Sequence, residues 1–454
     1  VAKCLELKSY LWSPGDGRPQ GRIPAAALLW ALLMGALLRR AAFAAIEALI
    51  RSRARHALEV SQSFGDDALG YFTERLDPTV TRRAAVTAVR QAKRHKAFDD
   101  CRFIGLAVDG TSAGRSREKV CDLCRPCRNK KREILGYHHK LVMISVVGTG
   151  LSLPLDVEPY GPGDSEYSAG RRLLRRTVDN TGRRFADYVV ADGDFATAPF
   201  LHDAGDLGLS VVARLKNHLP ELFAAAQKRF LRQPPHQVFR QGQDRVEIWD
   251  ADDFDPWETL RWETVRVVLY RQHKPDGKVF EAFWLTDFPR RRVGSREIFR
   301  IAKSRWEIEN QGFNDAKNRY GFEHTCHHEP NSLLVVWLLI CLALIPPGRD
   351  STGCVTYIGA RTPCAPPSIC SCFFNSACRR RPSPTPVENP TSAVPLLSPL
   401  PFSSSRQVAA PVSAHSEKMG IENTPRPVLP TRLALECAPS HRRTPSPLWI
   451  PKLL

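Results

Sequence analysis

At residues 103–110 the chain reads FIGLAVDG, an apolar run that closes on an acid and a glycine. Short apolar runs bounded by turn residues are the mark of buried strands. The segments after it continue the pattern. Residues 139–160, HKLVMISVVGTGLSLPLDVEPY, predict a strand, a turn at Gly148–Gly150 and a second strand, hence a hairpin. Residues 165–180, SEYSAGRRLLRRTVDN, have helical spacing, and 185–194, FADYVVADGD, form another strand ending in acids. A helix over 195–208 and a strand over 209–216, LSVVARLK, complete the alternation. Strands mixed with helices in this way imply an α/β fold, a central mixed sheet flanked by helices.

Outward from this centre the character changes. Residues 23–100 read as helical, with apolar residues at helical spacing in 39–60 and 80–99 and basic residues set between them. Each such helix has one cationic side, and region 1–100 is expected to bind DNA. The uncharged stretch Ile23–Leu38 is 16 residues long. A bilayer span needs about 20, so a buried helix is expected and no membrane partner. No signal peptide is evident, and the expected location is the cytoplasm, with the nucleoid. Residues 240–292 are β-rich with a PDG turn at 275–277, and 293–345 return to helix. Residues 346–454 hold 20 of the 36 Pro and 6 of the 13 Cys. That stretch reads as a disordered tail translated out of frame, because Pro-Pro cuts an apolar helix that has no cap.

The whole chain, 454 residues, has a formal net charge of +18, which points to a polyanionic partner, nucleic acid before an acidic membrane surface. Against that basic background three acids stand out. Asp109 follows the first strand, Asp192 follows the strand YVVA, and Glu309 lies on a helix within RWEIENQGFNDAKNRYGFEH, residues 305–324. Strand ends beside glycine turns are where open α/β sheets carry their site residues. Three carboxylates from separate segments suit two hard divalent ions, Mg²⁺ or Mn²⁺. Within that last stretch Glu309 is preferred to Glu307 because it lies one helical turn after Arg305, on the same face. Glu307 and Asp315 are then expected to be surface acids, and Trp306 a packing residue.

The stretches LAVDGT, VVADGDFATAPFL and KSRWEIENQGFNDAKNRYGFEH, with GYHHKLVMISVVGTGLSLPLDVEPY, VVARLKNHLPELF and FEAFWLTDF beside them, resemble bacterial insertion-sequence transposases of the DDE type. The resemblance covers roughly residues 20–345 and implies a ribonuclease-H-like catalytic core in two parts, 101–239 and 293–345, split by the β-rich insertion. It implies metal-dependent DNA cleavage and strand transfer at the ends of an insertion sequence. It also implies double-stranded DNA partners, terminal inverted repeats and target, and a homodimer in the synaptic complex. Asp109, Asp192 and Glu309 match the metal-binding triad, with Asp192 preferred to Asp194. Arg305 and Lys317 would contact phosphates, and Asn310 is assigned to DNA with them. Two positions depart from the family. Ala302 stands where relatives often have Tyr. Relatives also often have Lys seven residues after the Glu; here that place is Ala316, and Lys317 is one further on, turned by about 100° on a regular helix. Two rival readings are a ribonuclease-H-like nuclease without strand transfer and an inactive, truncated remnant that only binds DNA.

Residues 121–127, CDLCRPC, set Cys121, Cys124 and Cys127 at two-residue spacing, which suits tetrahedral zinc. The fourth ligand would come from GYHHK, His138 or His139, with His138 the choice carried forward. Such an ion would be structural. The second cysteine pair of a two-knuckle site is missing, and reduced free thiols are the other reading. The segment HTCHHEP, with His324, Cys326, His327 and His328, reads as a loop after the catalytic helix rather than as a metal site.

Overall fold

The computed structural model describes residues 15–150 and 152–345, and the backbone of 347–349 and 355–357. Apart from those two short backbone strands, which pair antiparallel, the expected out-of-frame tail lies outside the described residues.

The strands are β1 (Gly105–Ser116), β2 (Arg125–Arg128), β3 (Ile134–Val147), β4 (Leu153–Pro159), β5 (Tyr188–Ala191), β6 (Ser210–Leu215), β7 (Gln237–Gln241), β8 (Asp244–Phe254), β9 (Val265–His273) and β10 (Val279–Thr286). They form one sheet in the order β2-β3-β1-β5-β6-β10-β9-β8-β7, with β4 also paired to β3. β4, β3 and β1 run antiparallel as a meander, and β1, β5 and β6 run parallel. A meander followed by two parallel strands is the ribonuclease-H-like arrangement. Among the described residues five N-terminal helices, α1 (Ala25–Leu37), α2 (Phe43–Arg51), α3 (Ala54–Ala57), α4 (Asp66–Arg75) and α5 (Thr79–Arg94), precede the sheet in the chain. The crossovers between parallel strands are α6 (Glu166–Thr181) and α7 (Ala198–Asp206). The start of α6 is set by Ser165, whose hydroxyl accepts the Ser168 amide at 3.1 Å.

The β-rich stretch is an extension of this sheet and not a separate layer. β10 pairs with β6, so β7–β10 continue the core by four strands. The physical reason is the open edge of β6, whose unpaired amides and carbonyls would otherwise lie beside buried side chains. A buried ion pair ties the extension to the helix that leads to Glu309. Arg266 donates to both oxygens of Asp250, at 2.9 and 2.6 Å. Ser295, which opens that helix, donates its hydroxyl to the same carboxylate at 2.5 Å.

Side-chain alternation divides the sheet into two cores. Leu106, Val108, Val189 and Ala191 face one, Ala107, Ala113, Tyr188 and Val190 the other. The first core is covered by α1, α2, α4–α7 and α8 (Pro220–Leu231). The second is covered by α9 (Ser295–Glu307), a π-helical segment Ile308–Phe313 and α10 (Asn314–Tyr320). The last helix among the described residues, α11 (Pro330–Leu344), supplies Val335 and Leu339 to the first core and Trp337 and Cys341 to the second.

The apolar stretch at Ile23–Leu38 becomes α1, with Leu28, Leu29, Leu32 and Leu33 buried, as its composition requires. Among the described residues no helix is long and apolar enough to cross a membrane. The N-terminal helices pack into the body of the fold. Arg82 of α5 is buried and donates to Asp156 of β4 at 2.9 Å, while Arg176 of α6 donates to the other oxygen of Asp156 at 2.7 Å. Asn331 of α11 donates to the carbonyls of Thr73, Glu74 and Leu76. Part of the basic face read from the sequence is therefore used internally. Arg83, Arg90 and Arg94 of α5 remain exposed.

Candidate active site

Strand register places two of the acids. β1 and β5 pair in parallel up to Val108 opposite Ala191. The next residues are Asp109 and Asp192, so the two acids are neighbours across the sheet. Both follow the alternation that points Ala107 and Val190 into the second core, the side on which α9 lies. Asp109 does not end its strand as expected. β1 runs on to Ser116, and at Asp109 it pairs only with β3, opposite Met143. What ends there is β5, and that leaves one flank of Asp109 open.

Glu309 arrives on the same face from the π-helical segment, where the sequence predicted regular α-helix. Wide i→i+5 turns are rare and are frequently found at functional sites. Arg305 lies between the acids. Its Nη1 is 3.1 Å from Asp109 Oδ2 and 2.8 Å from Glu309 Oε1. Lys216 Nζ donates to Asp192 Oδ2 at 2.7 Å. The sequence reading missed Lys216. Its signal was the place just after the third parallel strand, beside the acid that ends the second.

Burial pushes the Asp109 carboxyl up to about 7, and the charges of Glu309 and Asp192 add to this while Arg305 opposes it. Burial also raises Asp192, but the Lys216 ammonium and the Gly193 amide outweigh it and leave the group below its ordinary value. Burial thus holds back the charging of Asp109, while Arg305 pairs with Asp109 and Glu309 and Lys216 pairs with Asp192. Oxygen donors with excess negative charge fit a hard divalent ion, whose charge would take over what Arg305 and Lys216 do.

The remaining residues of the motif separate clearly. Glu307 is not a free surface acid. Its carboxylate accepts the Gly148 amide at 2.9 Å, and burial pushes it up to about 7 despite that bond. Gln311 works beside it, accepting from the Ser152 amide at 2.8 Å and donating to the Gly150 carbonyl at 3.1 Å. The π segment is thus clamped to the β3–β4 turn. Asp315 pairs with Arg319 on the surface. Trp306 packs edge-on to Phe280 and Trp284. Asn310 is exposed, and Lys317 pairs with Glu323 at 3.2 Å.

The cysteine cluster differs from the expected one. Cys121, Cys124, His139 and His328 have ligand atoms all within 4.8 Å of one another. Among the described residues this is the group that converges so closely; the carboxylates are spaced around Arg305. Cys127 is exposed on β2, opposite Gly136, and His138 points away. Alternation along β3 explains the exchange, because successive residues face opposite sides and only His139 shares the side of Leu141 and Met143. His328, read as a loop residue, comes in from the link between α10 and α11. In the same loop His327 meets Glu74 at 2.8 Å and the Cys326 thiol donates to the Ala41 carbonyl at 2.6 Å.

Comparisons with known proteins give the family of the chain. The model of the transposase DDE domain family matches residues 102–345. That match ends at the residue after which the composition changes. No curated protein matches the chain. Among solved structures it is similar to a piggyBac transposase in a synaptic complex with hairpin DNA, at 13% identity, over 76% of this chain and 73% of that one, with a TM-score of 0.39. The fold assignment rests on the strand order and not on that likeness.

Proposed function

The chain belongs to the transposase DDE domain family, and on that premise we propose that it cleaves DNA at the ends of an insertion sequence and joins the freed ends to a target. The observation that carries this reading is the meeting of Asp109 and Asp192 across parallel strands, with Glu309 brought to the same face and Arg305 shared between Asp109 and Glu309. Asp109, Asp192 and Glu309 would hold divalent magnesium or manganese. When bound, such ions neutralise phosphate charge and lower the pKa of a water or a 3′-hydroxyl.

The chain's own residues do the positioning. The rigid parallel register fixes the two aspartates, and the clamp of Glu307 and Gln311 on the β3–β4 turn fixes the segment that carries Glu309. Arg305 and Lys216 hold the acids in place and stand ready to turn toward a DNA phosphate as the acids acquire other cations. The exposed Arg83, Arg90 and Arg94 on α5 offer a sequence-independent backbone contact.

The test is a DNA fragment carrying the element's own ends, incubated with protein, magnesium and target DNA. Cleavage with joined products is expected. Asp109→Asn, Asp192→Asn and Glu309→Gln should each lower the rate by on the order of a thousandfold or more, as loss of one member of a catalytic unit does, without lowering the melting temperature. Cleavage without joining would convert the assignment to a plain nuclease. DNA binding with no cleavage under any metal would leave a binding remnant and sink the enzymatic reading.

A further inference from the structure

We propose that Cys121, Cys124, His139 and His328 bind one zinc ion tetrahedrally, and that this ion staples the seam between the strand of Asp109 and the segment that follows Glu309. The distances are those of a zinc shell. The two sulfurs are 3.7 Å apart, and His139 Nε2 is 3.2 Å from Cys121 Sγ and 3.5 Å from Cys124 Sγ. Zinc bonds of about 2.3 Å to sulfur and 2.0–2.1 Å to nitrogen, at tetrahedral angles, require roughly 3.8 Å between sulfurs and roughly 3.6 Å between sulfur and nitrogen.

A hydrogen-bonded cluster without an ion accounts for less. One imidazole nitrogen faces two sulfurs, yet a neutral imidazole has a single acceptor lone pair, so only one thiol can donate to it. Cys124 and His139 are each only 1% exposed, which leaves the second sulfur nothing but the weak 3.7 Å contact with the first. His328 Nδ1 is buried and has no hydrogen-bond partner among the described residues. A buried polar group left this way is destabilising. Two thiolates and two neutral imidazoles around Zn²⁺ are electrically neutral, which is the charge state a buried site tolerates.

The four ligands come from three segments. Cys121 and Cys124 lie in the loop after β1, His139 lies on β3 opposite Ala113 of β1, and His328 lies between α10 and α11. The seam is already tight beside the cluster. At Gly114, where φ is +79°, an added Cβ would meet Thr325 Oγ1 at 2.6 Å and the Glu323 carbonyl at 3.3 Å. An ion here would lock this approach, and through α10 it would hold the π-helical segment against β1. Its role is positional, and it is chemically separate from the carboxylate site.

The full chain, purified with zinc present and then desalted, should carry about one zinc per chain by elemental analysis. Cys121→Ser, Cys124→Ser and His328→Ala should each lose most of it. Cys127→Ser and His138→Ala should keep it, and so should Asp192→Asn, which separates the ion from the catalytic acids. Because a core substitution can fail to fold, the wild-type chain, stripped by a chelator, is also titrated with cobalt(II). Intense tetrahedral d–d bands with thiolate charge transfer, bleached by one equivalent of zinc, are expected. A folded wild-type chain with no stoichiometric zinc and no tetrahedral cobalt spectrum overturns the proposal. So does zinc content that depends on Cys127 or His138. Neither readout uses DNA cleavage, so failure here leaves the transposase reading intact, and the reverse.

Discussion

Two glutamates two positions apart, Glu307 and Glu309, have opposite surroundings. One turns inward to the Gly148 amide and the other outward to Arg305, which it shares with Asp109. This separation makes a prediction at the level of single atoms. Glu307→Gln retains an oxygen that can accept the Gly148 amide and sheds a charge that burial disfavours, so its melting temperature should equal or exceed that of the wild type and cleavage should persist. Glu307→Ala leaves the amide without its partner and should cost about 1–3 kcal/mol in urea unfolding. Glu309→Gln should show the reverse, an intact fold with cleavage lost. If Glu307→Gln abolishes cleavage as fully as Glu309→Gln does, the assignment of the third acid is wrong. The three acids, Arg305 and Trp306 were legible in the sequence because each sits beside a recognisable period or motif. The inward turn of Glu307 was not, since it depends on a turn some 160 residues earlier in the chain. The same holds for Lys216 and His328, whose partners are set by strand register and by a distant loop.

Among the elements, the π-helical segment changes the meaning of a spacing. On an unbroken α-helix Lys317 is turned by about 100° from the place where relatives often carry a lysine. An i→i+5 turn takes up one residue more than an α turn. The eighth residue after Glu309 therefore comes round to where the seventh stands on a regular helix, while Ala316 is fully buried. Lys317→Ala should weaken binding to DNA ends and lower the slope of log affinity against log salt by about one. The exchange Ala316→Lys with Lys317→Ala, which restores the family spacing, should fail to recover binding and should lower the melting temperature. Recovery by that exchange would show that the segment does not act as a spacer. Strand and helix positions through the core followed from apolar periodicity. The π turn did not, because nothing in a hydrophobic pattern distinguishes it from an α turn. The pairing of β10 with β6 was equally hidden, since a strand's own sequence does not say which edge it joins.

For the molecule as a whole, the expected boundary near residue 100 is not a structural one. Asp156 sits buried between Arg82 of the N-terminal helices and Arg176 of the core, and removing one partner of such a pair costs about 3–5 kcal/mol because the other charges stay buried. Asp156→Ala should lose about that much stability, with amide exchange accelerated first in α5. An unchanged unfolding midpoint would mean that the N-terminal helices are held by apolar packing alone. Composition foretold helices and their basic side, but it could not say which arginines are spent inward, since that depends on an acid 74 residues away. The course of α11 bears on when the chain can work. It is the last helix among the described residues, and it fills both cores and ties down the end of α4. During synthesis Asp109 and Asp192 leave the ribosome long before it does. The nascent chain can therefore pair its first strands but cannot close either side of the sheet until residue 344 has emerged. Closure is in effect a timer set by chain length, and on the proposed function it would confine DNA cleavage to chains whose translation has passed that point.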